Sequence, residues 1–352
     1  MSIKYLPTTG ITSMVTNKHV YAYAQVYEGD LCELVGSMRV EEGQPVYGYE
    51  KQKFAFAVTR LNGNKVVLNA PKMFTPIAAA PFASRKSSDK NTRFIFYLND
   101  QNILCDAYFS EGESREWQPG ELAKSGVVCA HYSKLTAITV ANDLHNFVCL
   151  YYQAPTEDAA IKMVSLSGET NKWIKDAPDL KDPPLFGTSI TAVQPRPEIA
   201  LLSTTDENAA RQPVYYLQMH DLRLGHAQGT SDPVVMGGLQ IDGKSLVFSP
   251  HTSLTAVDDG TRLYIIYKSN HNNIKMIEIV NNKPNPPETI EFINTTPMSS
   301  IAACLSPESR VVLFYQSLNT TTRQVNLFAR TLYKASTNST KWTSSTEVRL
   351  GQ

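Results

Sequence analysis

The stretch IAAA, Ile77 to Ala80, is one of six short runs that pair a branched residue with small ones. ITSMV starts at Ile11, LTAI at Leu135, ITAV at Ile190, LTAV at Leu254 and IAAC at Ile301. Starts at 11, 77, 135, 190, 254 and 301 leave room for three further strands in each interval. Small side chains at a recurring first strand have a physical cause. Where several sheets converge on one axis, the innermost strands crowd and bulky residues do not fit. Between these runs the chain alternates apolar and polar residues with period two. Turns rich in Gly, Pro, Asn and Asp punctuate it, as at NGN from Asn62 and DDG from Asp258. No stripe of helical period competes. Four-stranded units repeated radially describe a propeller, so the sequence predicts an all-β, six-bladed β-propeller occupying residues 1–352 as a single domain. A pair of β-sandwiches would leave the sixfold small strand without a cause.

A second repeat supports the first. RFIFYLNDQNILC (Arg93–Cys105), YAYAQVYEGDLCE (Tyr21–Glu33) and YIIYKSNHNNIKM (Tyr264–Met276) are one hairpin written three times with different end residues. Strands ending in YYQ at Gln153 and FYQ at Gln316, and late tryptophans at Trp117, Trp173 and Trp342, mark further equivalent positions.

Composition excludes several classes. With 33 basic and 33 acidic residues the chain has no electrostatic footprint for nucleic acid or an anionic membrane. At 42% hydrophobic and 19% charged it is an ordinary globular composition. The N-terminus, MSIKYLPTTGITSMV, lacks the apolar core of a signal peptide, and no apolar run approaches the roughly 20 residues that cross a bilayer, so a cytoplasmic location is expected. Five cysteines without a C-x-x-C pair argue against both a disulfide scaffold and a zinc site. Sequons at Asn294, Asn319 and Asn338 matter only in a secreted protein. No phosphate loop, serine elbow or metal-spaced His/Asp set stands out, and no cofactor or metal is expected.

The repeated hairpin resembles that of the fungal fucose-specific lectins over essentially the whole chain, most strongly from Thr75 to Trp173. The resemblance implies a six-bladed propeller with sugar sites between neighbouring blades. A strand of the form Arg-x-Tyr-x-Gln supplies an arginine, its partner strand Ile-x-Glu a glutamate, and aromatic rings close the pocket. Against that pattern the expected occupants are Tyr21 and Glu33 in blade one, Arg93 and Cys105 in blade two, and Cys149 and Met163 in blade three. Blade four is expected to place Ile199 and Tyr216 there, and blade five Tyr264 and Met276. Blade six has Val312 and no clear glutamate. By this alignment no blade keeps both polar partners, and directed bonds to a sugar are lost at every site.

Residues three and four positions before each innermost strand should rim one mouth of the central channel. They include Met73, Phe74, His131, Tyr132, Phe186, His251 and Met298. Such a rim either plugs the channel or binds an apolar or aromatic small molecule. The candidate catalytic groups are His131 and His251 as acid and base, with Tyr132 and Arg93 as donors. Met73, Phe74, Phe186, Met298, Tyr21 and Tyr264 are the candidate substrate contacts. Cys105 would be a nucleophile only beside a base.

A lectin-like propeller stripped of its sugar contacts is similar in kind to the fungal hetero-Diels–Alder catalysts of tropolone sesquiterpenoid biosynthesis. That resemblance implies dehydration of a hydroxymethyl tropolone to an ortho-quinone methide and its addition to a humulene-type alkene. No cofactor is involved; the partners are apolar small molecules, with a homodimer as a further expectation. A degenerate fucose lectin and a non-catalytic propeller scaffold are the alternatives.

Overall fold

The computed structural model describes residues 4–16, 19–41, 44–54, 70–83, 91–112, 117–141, 146–168, 170, 172–176, 184–194, 213–228, 234–281, 283–319, 322–334, 342–344 and 347–350. Six antiparallel sheets stand around one axis. In each, four strands follow one another in the chain, and in blades five and six a fifth short strand pairs back onto the third. The six innermost strands are Ile11–Val15, Ala78–Ala83, Leu135–Ala141, Ile190–Val193, Leu254–Asp258 and Ile301–Leu305. They pack side by side in a closed ring. The only helical element among the described residues is a single 3-10 turn, Leu122–Ser125, and no described helix is long and apolar enough to cross a membrane.

The small residues explain how the ring closes. Ala79, Ala137, Ala192, Ala256 and Ala303 face an axial cavity of about 170 Å³. Neighbouring inner strands do not pair as a sheet, so their backbone N–H groups need other acceptors. Hydroxyls supply them. The N–H groups of Leu254 and Ala256 donate to Ser189 and Thr191 of the preceding blade at 3.1 and 2.9 Å, and those of Ile301 and Ala303 donate to Ser253 and Thr255 at 3.0 and 3.1 Å.

A second ring of ties uses the ends of the second strands. Gln25, Gln153, Gln218 and Gln316 donate to the carbonyls of Lys72, Leu185, Ser249 and Leu6, each in the turn before the next blade. In blade five Lys268 takes that place and donates to the Thr296 carbonyl at 2.6 Å. In blade two the position is Leu98, and the missing tie is made by Lys72, which donates to the His131 carbonyl at 3.2 Å. Gln316 and Leu6 join the last blade to the start of the chain. There Val312 and Phe314 pack with Tyr5, Val20, Ala22 and Leu350 in one core.

Candidate functional site

Strand register decides which side chains meet in each seam. The N–H groups of Leu98, Gln153 and Gln218 donate to Thr75, Ser133 and Thr188 at 2.8–2.9 Å, which makes the three residues equivalent. Four residues earlier stand Phe94, Cys149 and Val214; the pairing of the innermost strands adds Tyr21, Tyr264 and Val312 in the other blades. The glutamate position lies opposite the residue two further on. Its occupants are Glu33, Asp106, Met163, His226, Met276 and Ala329.

This corrects the alignment of blade two. Arg93 and Cys105 lie one residue out of register, and a slip of one turns a strand side chain to the opposite face. Phe94 and Asp106 hold the lectin-type positions and face blade three, with Phe96 against Trp173 at 5.7 Å. Arg93 and Cys105 face blade one. In blade four Val214 and His226 are the occupants, with Tyr216 between them in the same ladder. Ile199 lies outside the described residues, as do Asn62 and Asn338.

Because Arg93 faces backward, it meets Glu33: no single blade carries both partners, but the seam between blades one and two brings one from each together. Arg93 and Glu33 are each 4% exposed. The Arg93 Nη2 and Nε atoms lie 3.5 and 3.4 Å from the Glu33 carboxylate. Its Nη1 donates to Glu111 at 3.0 Å and to the Tyr21 hydroxyl at 3.3 Å. Tyr23 donates to Glu33 at 2.8 Å. The guanidinium is sandwiched between the rings of Tyr21 and Phe109, 4.3 and 4.5 Å from their centroids, with Trp117 at the edge. Blade one has Tyr21 at the lectin-type arginine position, and the guanidinium in this seam comes from blade two. Burial pushes the Glu33 carboxyl above its ordinary range against the pull of Arg93. The seam is occupied by its own side chains.

The other seams carry mainly apolar contacts. Cys149, Tyr151 and Met163 pack with Tyr215 and Leu217. Tyr264 and Met276 pack with Leu313, Tyr315 and Trp342. The Tyr264 hydroxyl donates to Asp259 at 2.8 Å, so this tyrosine is committed within its own blade.

Asp106 is buried beside Gly120, where a Cβ would fall about 2.1 Å from its carboxyl. It accepts from the Leu122 N–H at 2.8 Å. Burial raises its pKa to about 6 from an ordinary 3.8. Between those values the folded chain holds the proton more often than the unfolded chain. Stability therefore falls as pH rises from 4 to 6, on the order of 2–3 kcal/mol from this group alone. Urea melts of the wild type and Asp106→Asn across that range should show the slope shrinking in the variant.

The sequence-predicted rim divides at the channel mouth. Tyr132, His251 and Met298 line one cup of about 280 Å³, together with Gly187, Lys134 and serines. Phe186 stacks edge-on to Tyr132 at 5.4 Å. His251 and Met298 sit at positive φ, 60° each, which fixes their backbones in turns leading into the innermost strands. Met298 is 73% exposed. Met73, Phe74, His131 and Phe186 are not among the cup's lining residues, although Phe186 borders it through Tyr132. The His131 ring packs on Tyr132 while its carbonyl accepts Lys72, so the two histidines do not form an acid–base pair in the cup. Tyr21, Tyr264 and Arg93 are in the seams. Cys105 is buried, its thiol pushed up to about 12, which removes it as a nucleophile.

Sequence reasoning missed Lys134. It follows the buried Ser133 and projects where the other blades carry Gly10, Pro76, Ser189, Ser253 and Ser300, all lining the axial cavity. One lysine in a ring of small residues is a signal that aligning the six repeats exposes. Among the described residues there is no cluster of three or more His, Cys, Asp or Glu side chains that could hold a metal.

Six blades meeting in seams that carry this ladder define a lectin-type propeller. The chain belongs to the fungal fucose-specific lectin family, whose sequence profile matches residues 31–257. Among solved structures it is similar to the fucose-specific lectin from Aleuria aurantia, at 19% identity and a TM-score of 0.71, covering 99% of this chain and 98% of that one. It is also similar to AofleA from Arthrobotrys oligospora, at 17% identity and a TM-score of 0.65, covering 99% and 90% of the two chains. A lectin from Burkholderia pseudomallei, BP39L, follows at 13% identity and a TM-score of 0.57, covering 98% and 86%. No curated protein sequence matches the chain. At these identities the likeness shows the fold alone.

Proposed function

We propose that the protein is a cofactor-independent enzyme for the intermolecular hetero-Diels–Alder addition of a tropolone ortho-quinone methide to a humulene-type sesquiterpene. The observation that carries the reading is the cup, where an imidazole, a phenol and a thioether meet at the open end of the axis while the sugar-type seams are filled. A hydroxymethyl tropolone loses water to give the quinone methide, whose carbonyl oxygen and exocyclic carbon then form one bond each to the alkene carbons. His251 relays the proton of dehydration, Tyr132 donates to the ring oxygen, and Met298 and Phe186 hold the hydrocarbon. Holding two partners in one orientation replaces much of the entropic cost of a bimolecular encounter. Purified protein incubated with a quinone-methide precursor and humulene should give one cycloadduct stereoisomer faster than buffer does. A product ratio and rate equal to the uncatalysed mixture would remove the reading.

One observation favours a second reading, sugar binding at a single seam. Arg93 and Glu33 restore a guanidinium–carboxylate couple, and Glu111, which touches Arg93, is partly exposed. Retention on fucose-agarose with elution by free fucose supports it, and complete flow-through removes it.

A further inference from the structure

The ring at the channel mouth reads Gly10, Pro76, Lys134, Ser189, Ser253, Ser300, and only one member bears a charge. Lys134 borders both the axial cavity and the cup. No carboxylate among the described residues lines either space, so the ammonium has no counter-charge there. Its side chain is open to the funnel yet hemmed in by protein, and that loss of solvent draws its pKa below the ordinary lysine value. The ammonium stands where the axial cavity meets the cup, with serine hydroxyls beside it and the rings of Tyr132 and His251 nearby, a setting that suits a bound negative group.

We propose that Lys134 is the anion-binding residue of the cup and that it takes the deprotonated oxygen of a planar, conjugated hydroxy-carbonyl compound. This rests on the reading of the cup as the substrate site. One ammonium suits a monoanion rather than a phosphate dianion. The neighbouring hydroxyl of Ser300 donates to a second oxygen, and Tyr132, His251 and Met298 cover a flat ring. Lys134 thereby sets the orientation of the oxygenated partner, leaving the hydrocarbon to the apolar rim.

The probe is tropolone itself, titrated at pH 8 as its anion and followed by its ultraviolet absorbance. Humulene binding is measured alongside. Lys134→Met should weaken tropolonate binding at least tenfold, as loss of a charge-assisted contact does. Lys134→Arg should retain affinity within about threefold, and humulene should bind all three proteins alike. Affinity should fall below the pKa of tropolone and again at high pH as the amine loses its proton. Equal tropolonate affinity in wild type and Lys134→Met would overturn the inference, as would wild-type protein that binds humulene but not tropolone. Failure to bind either compound would overturn the inference together with the cup reading. Melting temperatures of the variants separate lost contacts from lost structure.

Discussion

Arg93→Met should lower the stability of the protein by about 3–5 kcal/mol, the cost of leaving a buried carboxylate without its partner. Glu33 keeps only the Tyr23 hydroxyl, and the rings of Tyr21 and Phe109 close on a methionine instead of a guanidinium. The loss is pH-dependent. With its cation gone, the Glu33 carboxyl moves further above the ordinary range, so the folded variant takes up a proton that the unfolded chain releases. Its stability therefore falls as pH rises, and the deficit against wild type is larger at pH 8 than at pH 5. Adding Glu33→Gln should recover more than half of it, because a neutral amide bears little of the burial cost. Urea unfolding of the two single variants and the double variant at both pH values measures the coupling. Additive losses would mean that the pair makes no joint contribution.

Ser300→Trp should abolish cycloadduct acceleration and stereoselectivity, a fall of about a hundredfold or more, while leaving the melting temperature within a few degrees. Ser300 borders both the cup and the axial cavity, and no hydrogen bond of its side chain ties neighbouring strands, unlike Ser253. An indole there fills the space in which two partners must lie together. Single-turnover product analysis beside a thermal melt checks both halves. Undiminished selectivity in a folded variant would place the chemistry elsewhere.

The repeated small strand made the architecture readable because an axis imposes one constraint six times. Ala79, Ala137, Ala192 and Ala256 face a cavity that larger side chains would fill. Two of the glutamines ending the second strands, Gln153 and Gln316, were readable as repeat marks; Gln25 and Gln218, which make the same tie to the neighbouring turn, were not. Register in blade two was not. Leu98 replaces the glutamine that marks the position in four other blades, so Arg93 drew the alignment to itself and turned both end residues to the wrong face. Its partner Glu33 belongs to another blade, 60 residues away. A motif read within one hairpin cannot reveal a pair assembled across a seam. At the channel mouth the aromatic and thioether rim was legible from turn positions, but which members converge was not. Met73 leans toward the Gly29 turn of blade one, away from the cup. Lys134 escaped notice because its meaning lies in contrast with five small counterparts.

If the proposed function holds, ligands bind at the mouth of the axis and not in the seams. Crystals soaked separately in humulene and in a methyl fucoside distinguish the two places. Hydrocarbon density against Tyr132, His251 and Met298, with no sugar beside Arg93, is the predicted result. Fucoside density held by Arg93 and Glu33, with an empty cup, would contradict it.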